Sequence, residues 1–391
     1  MYLYNTTLEL RNITLKNYGY NGFDEDDFAA INLYNGNINV INSILTDNRG
    51  TAIKMASSSA YSKYTCYIIN STLSNNVGKY VGAISGNSII INSTLANNIA
   101  TGEWWEAMYI AGLGGAIGGP STIINSILIN NTADYGGAIY GPCNITDSKL
   151  INNKAVFQNL NEYGFTGYGG AIYTYDGSYN IVNSQFTNNS GYDGGAIYSE
   201  KSKYSIINSE FTNNNAINKG GAIYNKHSVL RDSNSIFKSN NAKEGNNIYN
   251  ENSTYIPANA TKITVQPISQ TKVDEKVTIT GKLTDVNNNP VKNANIEILI
   301  NGKLYGDSQY TNITKITAKT NANGVYNCTF IPNSGGSYTI TVNFPGDQNY
   351  KTNKTETTFN VNPIATVVTV NPVTTVAIGL TLNVGSVLFV L

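Results

Sequence analysis

Hydrophobic and polar residues alternate in short runs that recur along most of this chain. The motif Gly-Gly-Ala-Ile-Tyr occurs at residues 136–140, 169–173, 194–198 and 220–224, with weaker copies at 29–31, 51–53, 82–84, 114–117 and 245–249. Its isoleucines are Ile31, Ile53, Ile84, Ile117, Ile139, Ile172, Ile197, Ile223 and Ile248, at irregular intervals. Between them runs a second motif, apolar-apolar-Asn-Ser-x-apolar-x-x-Asn, clear at 68–76, 90–98, 123–131, 181–189 and 206–214. Two further copies are degenerate: Asp147 replaces the first Asn of one, and 234–240 lacks the leading apolar pair. Each unit holds two or three β-type runs, and no stretch has the i, i+3, i+4, i+7 spacing of a helix. A fixed core with spacers of variable length reads as stacked coils whose loops bulge outward. The pattern therefore predicts an all-β fold, with a right-handed parallel β-helix of about nine irregular coils over residues 1–255. At ~4.8 Å per coil the rod is roughly 40 Å long.

The residue types suit that geometry. Ile, Val, Leu and Phe recur where interior ladders would stack. Paired asparagines (Asn75-Asn76, Asn97-Asn98, Asn130-Asn131, Asn152-Asn153, Asn188-Asn189, Asn213-Asn214, Asn240-Asn241) fall at expected turns. Asn tolerates the left-handed backbone such turns need, and stacked Asn side chains can bond one another as an amide ladder. The Gly-Gly pair permits positive φ or close backbone approach. Tyr140, Tyr173, Tyr198, Tyr224 and Tyr249 share one column, and alternation turns them outward if the preceding Ile points in. That column is either an exposed ladder able to bind a ligand or a cover over one sheet face. Cys66 and Cys143 share another column, three coils or roughly 14 Å apart. This exceeds the ~7 Å limit for a disulfide, so both read as small buried residues.

From residue 256 the composition shifts to Thr, Val and Lys. Seven alternating runs (262–265, 276–283, 295–300, 313–319, 324–331, 337–344 and 355–361), with turns at Asn301-Gly302, Asn323-Gly324 and Pro345-Gly346, read as an immunoglobulin-like β-sandwich over 256–362. Residues 365–373 repeat 260–268 at an offset of 105, so 363–391 looks like the start of a second such domain. An apolar tail acting as a membrane anchor is the rival reading, and membrane attachment stays open between the two. No signal segment follows Met1, and both ends look cut, so the chain is expected to be a fragment of a longer protein.

Composition narrows the function. Lys+Arg and Asp+Glu balance at 25 each, which leaves no basic field for nucleic acid. His227 is the only histidine, too few for most zinc, haem or His-based catalytic sites. Asparagine is the conspicuous excess, at about one position in six. Three loops leave the rod at one corner. Residues 18–28 hold Asp24, Asp26 and Asp27, a candidate Ca²⁺ site or a solvated acidic tip. Residues 99–113 hold Trp104, Trp105 and Tyr109, and residues 154–168 hold Phe157, Tyr163, Phe165 and Tyr168. Aromatics on loops of a rigid scaffold form binding surfaces for sugars or proteins, or fold back as a lid. No catalytic residues, other metal site or other cofactor are expected: no acid/base pair stands out, and Arg11, Arg49 and Arg231 are the only arginines. Twelve Asn-x-Ser/Thr sequons occur, of which Asn70 and Asn92 sit within the repeat and are expected to belong to its core.

The Gly-Gly-Ala-Ile motif paired with Phe-x-x-Asn (Phe186 to Asn189, Phe211 to Asn214) resembles the polymorphic outer membrane protein repeat. The array followed by a sandwich with Asn-Gly-Val-Tyr at 323–326 and Phe-Pro-Gly-Asp-x-x-Tyr at 344–350 is similar to the adhesin-like surface proteins of methanogenic archaea. The resemblance implies an extracellular protein at the cell surface or wall, with sandwich domains as spacers and the β-helix displayed outward to glycans or proteins of other cells or matrix. A β-helix polysaccharide lyase or glycoside hydrolase, and a purely structural wall component, are the rival readings.

Overall fold

The computed structural model describes residues 1–19, 29–56, 64–105, 108–156, 166–304 and 310–364. The acidic loop residues Asp24, Asp26 and Asp27, the loop aromatics Phe157, Tyr163 and Phe165, and the tail beyond Ile364 lie outside the described residues. The chain divides into two compact units, one of Met1–Ala258 and one beginning at Asn259.

The first unit is a parallel β-solenoid of about nine turns, with no helix among the described residues. Each full coil has four sides, one more than the alternation suggests. Sheet A has ten strands, from Tyr2–Tyr4 to Ile248–Glu251. Sheet B has ten, from Thr7–Arg11 to Thr254–Pro257. Sheet C has nine, from Thr14–Lys16 to Ile236–Lys238. Sheet D has six short strands, from Val77–Gly78 to Asn215–Lys219. Its brevity hides it in the sequence. The motif isoleucines pair in unbroken register from Ile31 to Ile248 in sheet A. In sheet C, Leu45, Leu73, Leu95, Leu128 and Leu150 give way to Phe186, Phe211 and Phe237. These phenyl rings stack nearly parallel at 4.6 and 5.0 Å.

The asparagine pair divides its work. The first Asn takes the left-handed conformation, as at Asn97 (φ 55°) and Asn130 (φ 56°), and is exposed. The second is fully buried. Asn131 Nδ2 donates to Asn153 Oδ1 one coil on (3.0 Å) and to the Leu95 carbonyl (3.0 Å). Its Oδ1 accepts from Asn98 Nδ2 (3.1 Å) and the Asn98 backbone N–H (3.0 Å). Every donor and acceptor of the amide is used in a corner closed to solvent, where an unmade bond is costly. The ladder runs unbroken from Asn48 to Asn240. Its last rung corrects the expected pairing: Ser239 (φ 52°) supplies the left-handed residue and Asn240 the buried amide, so the turn is 239–240 and not 240–241.

A second ladder fills the corner between sheets B and C. In the Asn-Ser step the Asn is left-handed and the Ser is buried. Ser93 Oγ donates to the Ile91 carbonyl (2.7 Å) and accepts the Ser71 N–H (3.0 Å), and the pattern repeats from Ser43 to Ser209. Asn70 and Asn92 therefore sit exposed on turns (φ 48° and 50°), not in the core, because the outward-facing left-handed residue of each step is the Asn. The two motif glycines also differ. Gly194 has φ 67°, whereas a Cβ on Gly195 would lie 2.0 Å from the Gly221 carbonyl oxygen of the next coil. The first glycine supplies the conformation and also room, since its Cβ would lie 2.3 Å from the Ile197 carbonyl oxygen, and the second supplies the close approach to the next coil.

The corner between sheets A and B sets the girth of the rod. Tyr179, Tyr204 and Leu230 stand seven positions after the inward Ile172, Ile197 and Ile223, but Ser88, Ser121 and Cys143 stand only four after Ile84, Ile117 and Ile139. Three successive coils are thus narrow. Small residues, Ser88, Ser121 and Cys143, fill their interior, and Cys66 precedes them in the same register. Both cysteines are free and buried, with burial pushing their thiols far up. In the wider coils, Tyr179 and Tyr204 stack inside at 4.6 Å, and their hydroxyls bond Ser199 (3.2 Å) and Asn225 (2.5 Å).

The second unit has a three-stranded sheet (Thr261–Val265, Val277–Asp285, Val325–Phe330) and a five-stranded sheet (Thr271–Lys272, Asn353–Asn362, Gly336–Phe344, Asn295–Leu304, Tyr310–Lys319). Both contribute to one core around Ile279, Leu283, Ile298, Tyr326, Ile340 and Val342. All seven predicted runs fall on strands, and the short Thr271–Lys272 strand is additional.

Replacing Asn131 by Ala orphans the Leu95 carbonyl and the Asn98 donors, at about 2–4 kcal/mol. The thermal midpoint followed by far-UV circular dichroism is expected to fall by several degrees for Asn131→Ala and far less for exposed Asn130→Gly. Gly195→Ala is expected to be the most disruptive of the three, since backbone and not a flexible side chain blocks its Cβ.

Candidate functional site

The loop after residue 100 forms β-structure of its own. Glu103–Trp105 and Met108–Ile110 pair antiparallel as a hairpin, with Trp104 opposite Tyr109. Both strands are pinned at their base. Glu103 accepts the Tyr80 hydroxyl (2.5 Å) and lies 2.9 Å from Lys79 Nζ. Tyr109 donates its hydroxyl to Asp134 Oδ2 (2.6 Å), which also accepts the Gly112 N–H (2.8 Å). Asp134 is itself buried at 2% exposure, so the second anchor is rigid. Trp104 is 57% exposed and leans on Tyr109 at 5.2 Å and 55°. Trp104 thus keeps more than half of its surface open beside a fixed support, and an open indole can stack on a sugar ring or an apolar side chain. Trp105 lies in the hairpin strand next to Trp104.

The tyrosine column is not an exposed ladder. Tyr140, Tyr173, Tyr198, Tyr224 and Tyr249 stack at 4.8–5.4 Å with planes within 16° of parallel, so their faces are taken up by one another. Tyr198 and Tyr224 are buried, and the others are half-buried. A second column covers them. The residues just before each Gly-Gly pair (Leu113, Tyr135, Tyr168 and Asp193) bridge coil to coil. Tyr168 lies 4.9 Å from the Tyr198 ring, and Tyr135 meets Tyr173 edge-on at 5.3 Å. Between the columns lies a cleft of about 280 Å³ lined by Leu113, Tyr135, Tyr140, Tyr168, Tyr173, Tyr198, Glu200 and Lys226. Burial pushes the Tyr168 hydroxyl up to about 12 and that of Tyr173 higher still, so the lining phenols are neutral donors at ordinary pH.

Charge enters at one end of the cleft. Glu200, Lys226 and Glu251 are neighbours on successive strands of sheet A, with Glu200 3.6 Å from Lys226 Nζ. Tyr224 donates to Glu251, and Lys219 Nζ bonds the Tyr249 hydroxyl at 2.9 Å while sitting 4.4 Å over its ring. Burial raises the Asp193 carboxyl, against the pull of hydrogen bonds from Asn218 and the Lys219 N–H. The cleft lining carries one carboxylate, Glu200, already engaged by Lys226. Among the described residues no group of three or more His, Cys, Asp or Glu is placed to hold a metal ion.

Of the aromatic residues expected to bind, the structure sets Trp104 and Tyr109 together on the hairpin and Tyr168 in the cleft. Sequence reasoning missed Tyr135, Asp134, Glu200 and Lys226. Tyr135 and Tyr168 had a readable signal, since both directly precede a Gly-Gly pair; their role as a cover did not.

Three stretches match the Chlamydia polymorphic membrane protein repeat: residues 125–142, 183–200 and 208–226. Each begins at the Asn-Ser turn, passes the paired asparagines and ends beyond the Gly-Gly-Ala-Ile corner, so the matched unit is the one that carries both buried ladders. Such repeats indicate a surface or outer-membrane family. No curated protein matches the chain.

Both tryptophans of the protein lie in the hairpin, so indole emission reports on it alone. Tyr109→Phe removes one anchor and is expected to lower tryptophan anisotropy with the coil melting unchanged. The Tyr80 hydroxyl first, and Lys79 second, hold the Glu103 carboxyl below the usual carboxylate range. A depressed carboxylate strengthens the folded hairpin above its unfolded pKa and loses that contribution as pH falls through the lower folded value. Anisotropy is therefore expected to be flat from about pH 8 to 5 and to drop on acidification below roughly pH 4, with the drop absent in Glu103→Gln.

Proposed function

We propose that this chain is an adhesin-like surface protein whose β-solenoid displays the Trp104–Tyr109 hairpin and the adjoining tyrosine cleft to glycans or proteins of other cells or matrix. The observation that carries the reading is Trp104, more than half exposed on a doubly anchored hairpin. Exposed aromatics on a rigid scaffold cost little ordering entropy on binding and are favoured at recognition sites. The repeat match supports display at a cell surface. In this reading the second unit is an immunoglobulin-like spacer. Its support is two sheets closing on one core, with Tyr326 donating its hydroxyl to the Thr264 carbonyl (2.7 Å).

A glycan array and a cell-retention assay, run side by side, test the proposal. The expected result is that Trp104→Ala/Trp105→Ala lowers retention about tenfold, or ~1.4 kcal/mol, with no change in thermal midpoint. Retention of the double variant at the wild-type level, or no retention of the wild type on any surface, contradicts it and leaves a structural wall component.

A further inference from the structure

The stacked tyrosine column divides by what its hydroxyls do. Tyr224 donates to Glu251, and the Tyr249 hydroxyl takes Lys219 Nζ at 2.9 Å. The tyrosines inside the rod are bonded as well, Tyr179 to Ser199 and Tyr204 to Asn225. Tyr140, Tyr173 and Tyr198, the first three of the column, make no hydrogen bond through their hydroxyls among the described residues, and neither does Tyr168 across from them. All four line the cleft of about 280 Å³. Tyr198 is only 5% exposed, so its unpaired hydroxyl is otherwise hemmed in by protein. The three column rings repeat at 5.2 and 5.3 Å and lie within 10° of parallel, which spaces their hydroxyls too far apart to bond one another. A polar group left unpaired away from open water is costly, and native structures keep few of them.

We infer that this cleft is a subsite for an uncharged saccharide, bound edge-on through the hydroxyls of Tyr140, Tyr168, Tyr173 and Tyr198. The inference rests on the glycan-binding reading above and narrows it to one ligand chemistry. Within the column the ring faces are covered by neighbouring rings, so no ammonium group can sit over them as in an aromatic cage. What the cleft offers is a row of neutral hydroxyls, each able to donate and to accept, which is what the hydroxyls of a sugar need. Charged sugars fit poorly. Lys226, the one cation of the lining, is taken up by Glu200 at 3.6 Å, which leaves neither a free cation for a carboxylate or sulfate nor a free carboxylate for an ammonium. After burial itself, the charge that Tyr173 and Tyr198 feel most is the negative one of Glu200, and Tyr168 feels Asp193 and then Glu200; each raises the phenol further and disfavours a second anion. The hydroxyl row spans two coil steps, about 10 Å along the rod. The cleft is at the small end of ligand pockets, enough for about one or two sugar rings laid lengthwise.

Saturation-transfer NMR of the full chain tests this with four neutral disaccharides (lactose, maltose, cellobiose and diacetylchitobiose) and two charged sugars, anionic sialyllactose and cationic chitobiose. At least one neutral disaccharide is expected to bind with Kd of about 1 mM, and neither charged sugar to bind more tightly than it. Tyr173→Phe/Tyr198→Phe keeps the stack and removes two hydroxyls. It is expected to weaken that sugar about tenfold and to leave the thermal midpoint unchanged or higher, because no protein partner is lost. If the double variant misfolds, Tyr140→Phe at the half-buried end of the row is expected to weaken the sugar about threefold. Trp104→Ala/Trp105→Ala is expected to leave disaccharide binding intact, which separates the cleft from the hairpin. Cell retention that depends on the tryptophans, with no disaccharide bound, keeps the hairpin reading and overturns the cleft. Disaccharide binding that depends on the tyrosines, with retention indifferent to the tryptophans, keeps the cleft and overturns the hairpin. No neutral sugar bound at about 10 mM, a charged sugar bound more tightly, or a folded tyrosine variant that binds as the wild type does would each contradict the inference.

Discussion

Asn98, Asn131 and Asn153 lie fully buried on the inside of the corner where each coil turns, and the rest of the solenoid depends on how they are satisfied. A parallel coil can stack only if its backbone groups meet the next coil in register, and the polar groups at each corner are the weak point of that stacking. Here each buried amide makes four bonds, two to its neighbours in the ladder and two to backbone. An aspartate at such a position keeps the acceptors and loses the donors while burying a charge; a serine is too short to reach. Turning this corner coil after coil accounts for part of the excess of asparagine in this chain.

Fixing the corners frees the spacers. Because the amide and serine ladders hold each coil independently of what lies between paired Asn and Gly-Gly, that segment ranges from a few residues to the long excursion around the hairpin without disturbing the register on either side. The hairpin's own contacts (Tyr80, Lys79 and Asp134) come from neighbouring coils and orient an otherwise detachable element. The same logic makes the tyrosine cleft rigid: its two columns are set by sheet A and by the residues preceding Gly-Gly, both locked by coil stacking.

Much of this was legible because the constraints repeat. The isoleucine spacing marks sheet A. The Asn-Asn and Gly-Gly steps mark two corners, since few other residues tolerate a left-handed backbone or a carbonyl oxygen where their Cβ would lie. What was not legible depends on neighbours in space. The serine of Asn-Ser is visible in the sequence, but its ladder follows only from knowing that it faces the Ser one coil away. Alternation turns Tyr198 and Tyr224 outward, yet it cannot show that Tyr168 lies over Tyr198. Sheet D is too short to carry a period, and the displacement of the last turn to Ser239-Asn240 is betrayed only by its hydrogen bonds and backbone angle.

Hydrogen exchange resolved to single backbone amides tests the central claim, that the buried amide ladder holds the coils and leaves the loops independent of them. The N–H groups of Asn76, Asn98, Asn131 and Asn153, each bonded to the next Asn Oδ1, are expected to exchange with the slowest class in the molecule. Residues 103–105 and 108–110 are expected to exchange faster, by local opening that leaves those four unaffected. Ladder amides that exchange as fast as the hairpin, or only in step with it, would contradict the account.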